Sequence, residues 1–192
     1  LATLHDSLKQ AQVHDLLRTA VQEVDPHGNL YDSATVQSMR KGTPDWVADP
    51  HPYRGKMLGD RFAYVDMMGF RGMDSLTCDL YVDSLQRLLR KLYQQEPEGW
   101  IIDLRQNTGG NMWAMFAGVG PLLGEGILGY SVNPAGERTP WYYMLYNDSL
   151  QTYDYLTLSD SAWAFQQSLP VAVITGSSTG SAGEGVALAF RG

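Results

Sequence analysis

The sequence predicts an α/β fold with parallel neighbouring strands. Two short, largely apolar segments, residues 100–104 and 171–175, each run into a small-residue turn and then into an apolar helical stretch. Such runs are expected of strands covered on both faces. Ahead of them, residues 61–67 alternate in a β-rich pattern and residues 77–95 carry apolar side chains at helical spacing. Strand, helix, strand, helix is the order of a sheet whose strands are joined by crossover helices.

The elements follow in chain order. Residues 3–24 read as an amphipathic helix, with Leu4, Leu8, Val13, Leu16, Leu17, Ala20, Val21 and Val24 on one stripe. Asp25, Pro26 and Gly28 end it, and residues 33–39 suit a further short helix. Gly42, Pro44, Pro50, Pro52, Gly55 and Gly59 make residues 41–60 a connector. The chain is therefore read as an N-terminal helical segment with connector, residues 1–58, and one α/β domain, residues 59–192. Within the domain, residues 69–75 form a turn. The helix over 77–95 points Leu80, Val82, Leu85, Leu88, Leu89 and Leu92 inward, and a helix over 111–123 packs Trp113, Met115 and Phe116. Residues 124–160 read as strands or loops, 161–167 as helical, and 183–190 as the last helix.

Composition narrows the function classes. With 21 acidic against 14 basic residues the net charge is −7, which argues against nucleic-acid and anionic-membrane partners. The one basic cluster, Arg87 to Lys91, suits the solvated face of a helix. Cys78 is the single cysteine, so no disulfide forms within the chain and no multi-cysteine metal site exists. No run of about 18 apolar residues is present. No signal peptide is read within these residues, and the first residue is not methionine, which leaves room for a removed leader. No histidine spacing fits a metal site, and neither metal nor cofactor is expected.

Three stretches carry chemistry. The segment after the last strand, residues 176–184 (GSSTGSAGE), places a serine at the mouth of a helix whose first N–H groups can bind an anion. A literal G-x-S-x-G puts Ser178 forward as a nucleophile elbow, but that fold places its acid and histidine after the serine, and the last histidine here is His51. Ser181, immediately before the helix, is the better nucleophile. Its alternative is structural: an N-cap completed by Glu184 as a capping box, and both can hold at once. The second stretch, residues 103–110 (DLRQNTGG), ends a buried strand in two glycines that let the backbone approach a ligand and aim N–H groups at it. An ordinary β-to-α turn is the bland reading, and Asp103 with Arg105 reads as a structural ion pair. Third, a serine needs a base, and His27 lies on the rigid turn after the first helix. The four lysines, Lys9, Lys41, Lys56 and Lys91, lie in no promising site.

Taken together these stretches resemble the tail-specific, or C-terminal processing, serine peptidase family, which includes the tricorn core protease and the retinoid-binding repeats. Residues 103–110 match D-L-R-x-N-x-G-G, residues 179–184 match T-x-S-[SA]-G-E, and residues 24–28 are similar to L-D-P-H-S; Ser181 follows Gly110 by 71 positions. The resemblance implies a ClpP/crotonase-like domain with Ser181 as nucleophile, His27 as base, and an oxyanion hole formed by the N–H of Ala182 with that of Gly109 or Gly110. It implies peptide or unfolded-protein substrates cleaved through an acyl-enzyme, an extracytoplasmic location, and leaves a homo-oligomer open. The sequence departs at Gly28, where the family has serine. The stretch from His27 to Arg61 is too short for a PDZ module, which suits the tricorn-like branch. The family also continues beyond the point where this chain stops, with strands carrying a lysine or a glutamate, so the chain reads as truncated. Two rival readings stand beside it. One is a non-catalytic binding module for a peptide or hydrophobic ligand, with the aromatics at 141–143 as lining. The other is a crotonase-like acyl-CoA enzyme.

Overall fold

A computed structural model describes Thr19 and residues 53–146, 149–151, 165 and 168–191. Of the expected first helix only Thr19 is described, and it is helical. The expected helix over 33–39 lies outside the described residues, as does most of that over 161–167, of which Phe165 is described and not helical.

A four-stranded sheet has the order β1 (Tyr53–Leu58), β2 (Phe62–Met67), β3 (Gly99–Asp103), β7 (Val171–Ile174). β1 runs antiparallel to β2, while β2, β3 and β7 are parallel, with Ala63 opposite Trp100 and Trp100 opposite Val171. Helix α1 (Ser75–Tyr93) joins β2 to β3. Helix α2 (Met112–Leu123) follows β3 and leads to a second, antiparallel sheet of β4 (Gly126–Val132), β5 (Arg138–Tyr146) and β6 (Ser149–Gln151). Helix α3 (Ala182–Ala189) follows β7. The parallel order, the crossover helices and their approximate bounds agree with the sequence reading.

One face of the sheet forms the core. Ala63, Val65, Met67, Trp100 and Ile102 pack against Val82, Leu85 and Leu89 of α1 and Met115, Phe116 and Val119 of α2, all buried. Trp100 is 1% exposed, and burying a large apolar side chain contributes roughly 1.5–3 kcal/mol. The alternate residues Phe62, Tyr64 and Ile101 form a smaller apolar cluster on the opposite face. The period of two along each strand thus divides the residues between two layers, as a doubly covered sheet requires.

Two readings need correction. Residues 53–58, expected as connector, form β1. Leu80, expected inward, is 56% exposed, because the buried stripe of α1 runs through Cys78, Tyr81, Val82, Leu85, Gln86, Leu89 and Leu92 and Leu80 falls beside it. The helix starts where Asp74 caps it, its carboxylate accepting from the Thr77 N–H at 2.9 Å.

Candidate active site

Two turns leave the same end of the parallel strands, and they touch. The first follows β3. Asn107 N–H donates to the Leu104 carbonyl at 2.9 Å, and Asn107 Oδ1 accepts from the Gly109 N–H at 3.0 Å. This is an Asx turn built on a buried asparagine. Gly109 and Gly110 then adopt φ of +97° and +136°, which strain any other residue. Asn111 caps α2, its Oδ1 accepting from the Ala114 N–H.

The second turn follows β7. The Thr179 N–H donates to the Gly176 carbonyl at 3.1 Å, so Ser177 and Ser178 form the middle of a β-turn. Thr179 Oγ1 donates to the Leu104 carbonyl at 2.8 Å and accepts from the Gly176 N–H at 2.9 Å, pinning this turn to the end of β3. Ser178, the literal G-x-S-x-G serine, thus sits in the turn and not at a helix start.

Ser181 is exposed and holds φ +53°, ψ −121°. A non-glycine residue held there costs about 1–3 kcal/mol and marks sites where geometry serves a purpose. Both halves of a capping box are in place, but only the Glu184 half is a hydrogen bond: Oε2 accepts from the Ser181 N–H at 2.8 Å, while the serine side chain makes no cap hydrogen bond. The helix start is thus capped through Glu184 while Ser181 stays exposed.

The two turns meet at Gly109. A Cβ there would lie 2.7 Å from Ser181 Cβ and 3.0 Å from Ala182 N. Of the two glycines, Gly109 is buried and its N–H is taken by Asn107, while Gly110 is exposed and its N–H has no partner among the described residues. The Ala182 N–H, the first of α3, likewise has none among them. An exposed serine, an open helix N-terminus and an exposed glycine amide are the parts an oxyanion-stabilising hydrolase site uses.

Asp103 and Arg105 form the expected ion pair, Arg105 Nε lying 2.9 and 3.1 Å from the two carboxylate oxygens, with Tyr64 Oη donating from the other side at 2.7 Å. Burial pushes the Asp103 pKa up, yet the hydrogen bonds from Arg105 and Tyr64 hold it below the ordinary value. His27 lies outside the described residues, as do His5, His14 and His51. Lys56 on β1 and Lys91 in the last turn of α1 are exposed. Among the described residues no cluster of His, Cys, Asp or Glu could hold a metal ion, and no helix is long and apolar enough to cross a membrane. A cleft of about 490 Å³ runs along β7 and α3, lined by Val173, Thr179, Glu184 and Leu188; neither Ser181 nor Gly110 lines it.

Comparison with known proteins bears on the family and the fold. The model of Peptidase family S41 matches residues 61–192. A nisin-resistance protein from Lactococcus lactis subsp. lactis is 35% identical over 124 residues, 64% of this chain and 36% of that protein. A lipoprotein from Streptococcus agalactiae superposes with a TM-score of 0.61 at 22% identity, over 78% of this chain and 49% of that one. A photosystem II D1 C-terminal processing protease superposes with a TM-score of 0.49 at 18% identity, over 73% of this chain and 34% of that one. The chain thus spans about a third to a half of the length of these relatives.

Proposed function

This chain belongs to Peptidase family S41, and we propose that it is the nucleophile-bearing part of a serine endopeptidase acting on unfolded or C-terminal peptide segments. The observation that carries the reading is the contact of the Gly-Gly turn with an exposed, strained Ser181. In the proposed mechanism Ser181 Oγ attacks the scissile carbonyl carbon and its proton passes to a base, assigned to His27. The carbonyl oxygen becomes an oxyanion held by the N–H groups of Ala182 and Gly110. Collapse breaks the C–N bond, the protonated amine leaves, and water attacks the acyl-serine through the same base. The names of the relatives, a lipoprotein and a nisin-resistance protein, support a cell-envelope, extracytoplasmic location.

The test uses the full-length protein. A fluorophosphonate is expected to label Ser181, and Ser181→Ala is expected to abolish both labelling and hydrolysis of an unstructured peptide with the fold intact. Undiminished hydrolysis in Ser181→Ala would overturn the assignment. An unreactive wild type would favour the non-catalytic peptide-binding module.

A further inference from the structure

An oxyanion donor works only if its peptide plane is held in one orientation before the reaction starts. The plane in question joins Gly109 to Gly110, and two glycines offer little resistance to rotation. Two residues supply what the glycines lack. Asn107 lies beneath the turn, fully buried. Its Oδ1 takes the Gly109 N–H at 3.0 Å, and its carbonyl takes the Gly180 N–H at 3.0 Å, one residue before the serine. A Cβ on Gly183 would lie 2.6 Å from that carbonyl oxygen and 2.7 Å from Oδ1, so α3 is seated directly on this side chain. One asparagine therefore fixes the peptide before Gly109 and holds the serine turn against it.

Gly69 acts from the opposite side. A Cβ there would fall on the Gly109 carbonyl oxygen, well inside contact distance. The carbonyl of the Gly109–Gly110 peptide is therefore aimed at Gly69. In a trans peptide the N–H points opposite to the C=O, which turns the Gly110 N–H away from Gly69. The Gly110 side of the plane is held by Phe70, whose carbonyl accepts from the Asn111 N–H and leaves no room for a Cβ on Gly110.

We infer that Asn107 and Gly69 are positioning residues that clamp the Gly109–Gly110 peptide with the Gly110 N–H outward, making Gly110 and not Gly109 the oxyanion donor. The inference rests on Ser181 being the nucleophile. Asn107 accepts with its Oδ1 and donates its Nδ2 to the Met68 carbonyl at 3.4 Å. A buried aspartic acid held neutral offers the same acceptor and an O–H in place of Nδ2, so Asn107→Asp keeps the function and Asn107→Ala removes it. Gly69 acts by having no side chain, so Gly69→Ala pushes the peptide out of line.

The experiment compares these variants in the full-length protein on an unstructured fluorogenic peptide, with active sites counted by fluorophosphonate so that unfolded molecules drop out. Displacing an oxyanion donor without deleting it is expected to lower kcat roughly 10- to 100-fold. That loss should appear in Asn107→Ala and Gly69→Ala with KM little changed, while Asn107→Asp keeps most of the wild-type kcat. Full kcat in Asn107→Ala, or a loss in Asn107→Asp as large as in Asn107→Ala, overturns the role of Asn107. Full kcat in Gly69→Ala overturns the clamp from the other side. If Asn107→Ala does not fold, the Asn107→Asp and Gly69→Ala results decide. These outcomes leave a reactive Ser181 in the wild type; an unreactive one would sink the underlying reading instead.

Discussion

Asp66 and Asp103 face each other across β2 and β3, and their surroundings treat them in opposite ways. Asp103 has Arg105 and Tyr64 as donors and stays ionised below the ordinary carboxylate range despite its burial. Asp66 is placed differently. Burial first, and then the negative charge of Asp103, raise its pKa from 3.8 to about 6, which Arg54 and Arg105 only partly offset. The folded state thus binds a proton that the unfolded chain gives up more readily. The stabilisation from this proton is fully present below the unfolded value of 3.8 and is lost as pH rises through about 6. Asp66→Asn is therefore expected to be more stable than the wild type at about pH 7.5, with the difference shrinking towards about pH 4. Thermal unfolding of both proteins across this range measures it; a Tm difference independent of pH would sink the argument. Asp103 works in the other direction: its contribution is present above the unfolded value and is lost as pH falls through its depressed one.

Among the elements, α2 carries a proline where a helix tolerates it least. Pro121 lies inside Met112–Leu123 and has no N–H to give to the Ala117 carbonyl one turn earlier. Gln86 of α1 replaces it, Nε2 donating to the Ala117 carbonyl at 2.9 Å from a buried position. This explains a glutamine in the apolar stripe of α1. Gln86→Leu should cost about 1–3 kcal/mol by orphaning that carbonyl. Adding Pro121→Ala should recover much of the loss, because an alanine at that position supplies the helical N–H again. Denaturant unfolding of the two single variants and the double reads the coupling; strict additivity would show that the glutamine and the proline are unrelated. Periodicity made α1, β3, β7 and α3 legible in the sequence, since each has one dominant pattern. β1 was not legible, because Pro52, Gly55 and Gly59 read as punctuation. Gly55 is in fact a strand residue lying under α1, where a Cβ would come within 3.0 Å of Leu88 and Leu92. The exposure of Leu80 was lost for a related reason: leucine spacing alone does not say which edge of the stripe meets the neighbouring helix.

At the scale of the molecule, the parallel pairing of β3 with β7 determines whether there is a site at all. The pairing sets Asp103 opposite Ile174, so both strands end together and both turns emerge on one side. The two glycine-rich turns were legible because each motif is local. The contacts of Asn107 with Gly180 and of Gly69 with Gly109 were not, since only the folded sheet brings those residues near one another. Thr179 is the clearest case of this dependence: its hydroxyl bridges the Leu104 carbonyl at the end of β3 and the Gly176 N–H at the end of β7. Thr179→Val keeps the shape, removes both hydrogen bonds, and should cost about 1–3 kcal/mol. The larger consequence falls on the site, because the serine turn then loses its tie to the Leu104 carbonyl and is left with the bond from the Gly180 N–H to the Asn107 carbonyl. A displacement of about 1 Å in a positioned nucleophile can cost roughly 100-fold in rate. Thr179→Val should therefore lose far more kcat than its stability loss accounts for at a temperature where it is fully folded, and Thr179→Ser should restore both. Denaturant unfolding and kcat measured on the same preparations separate the two effects. A Thr179→Val protein that is less stable but fully active would mean that the sheet register and the Gly180–Asn107 hydrogen bond suffice to align Ser181 with the Gly-Gly turn.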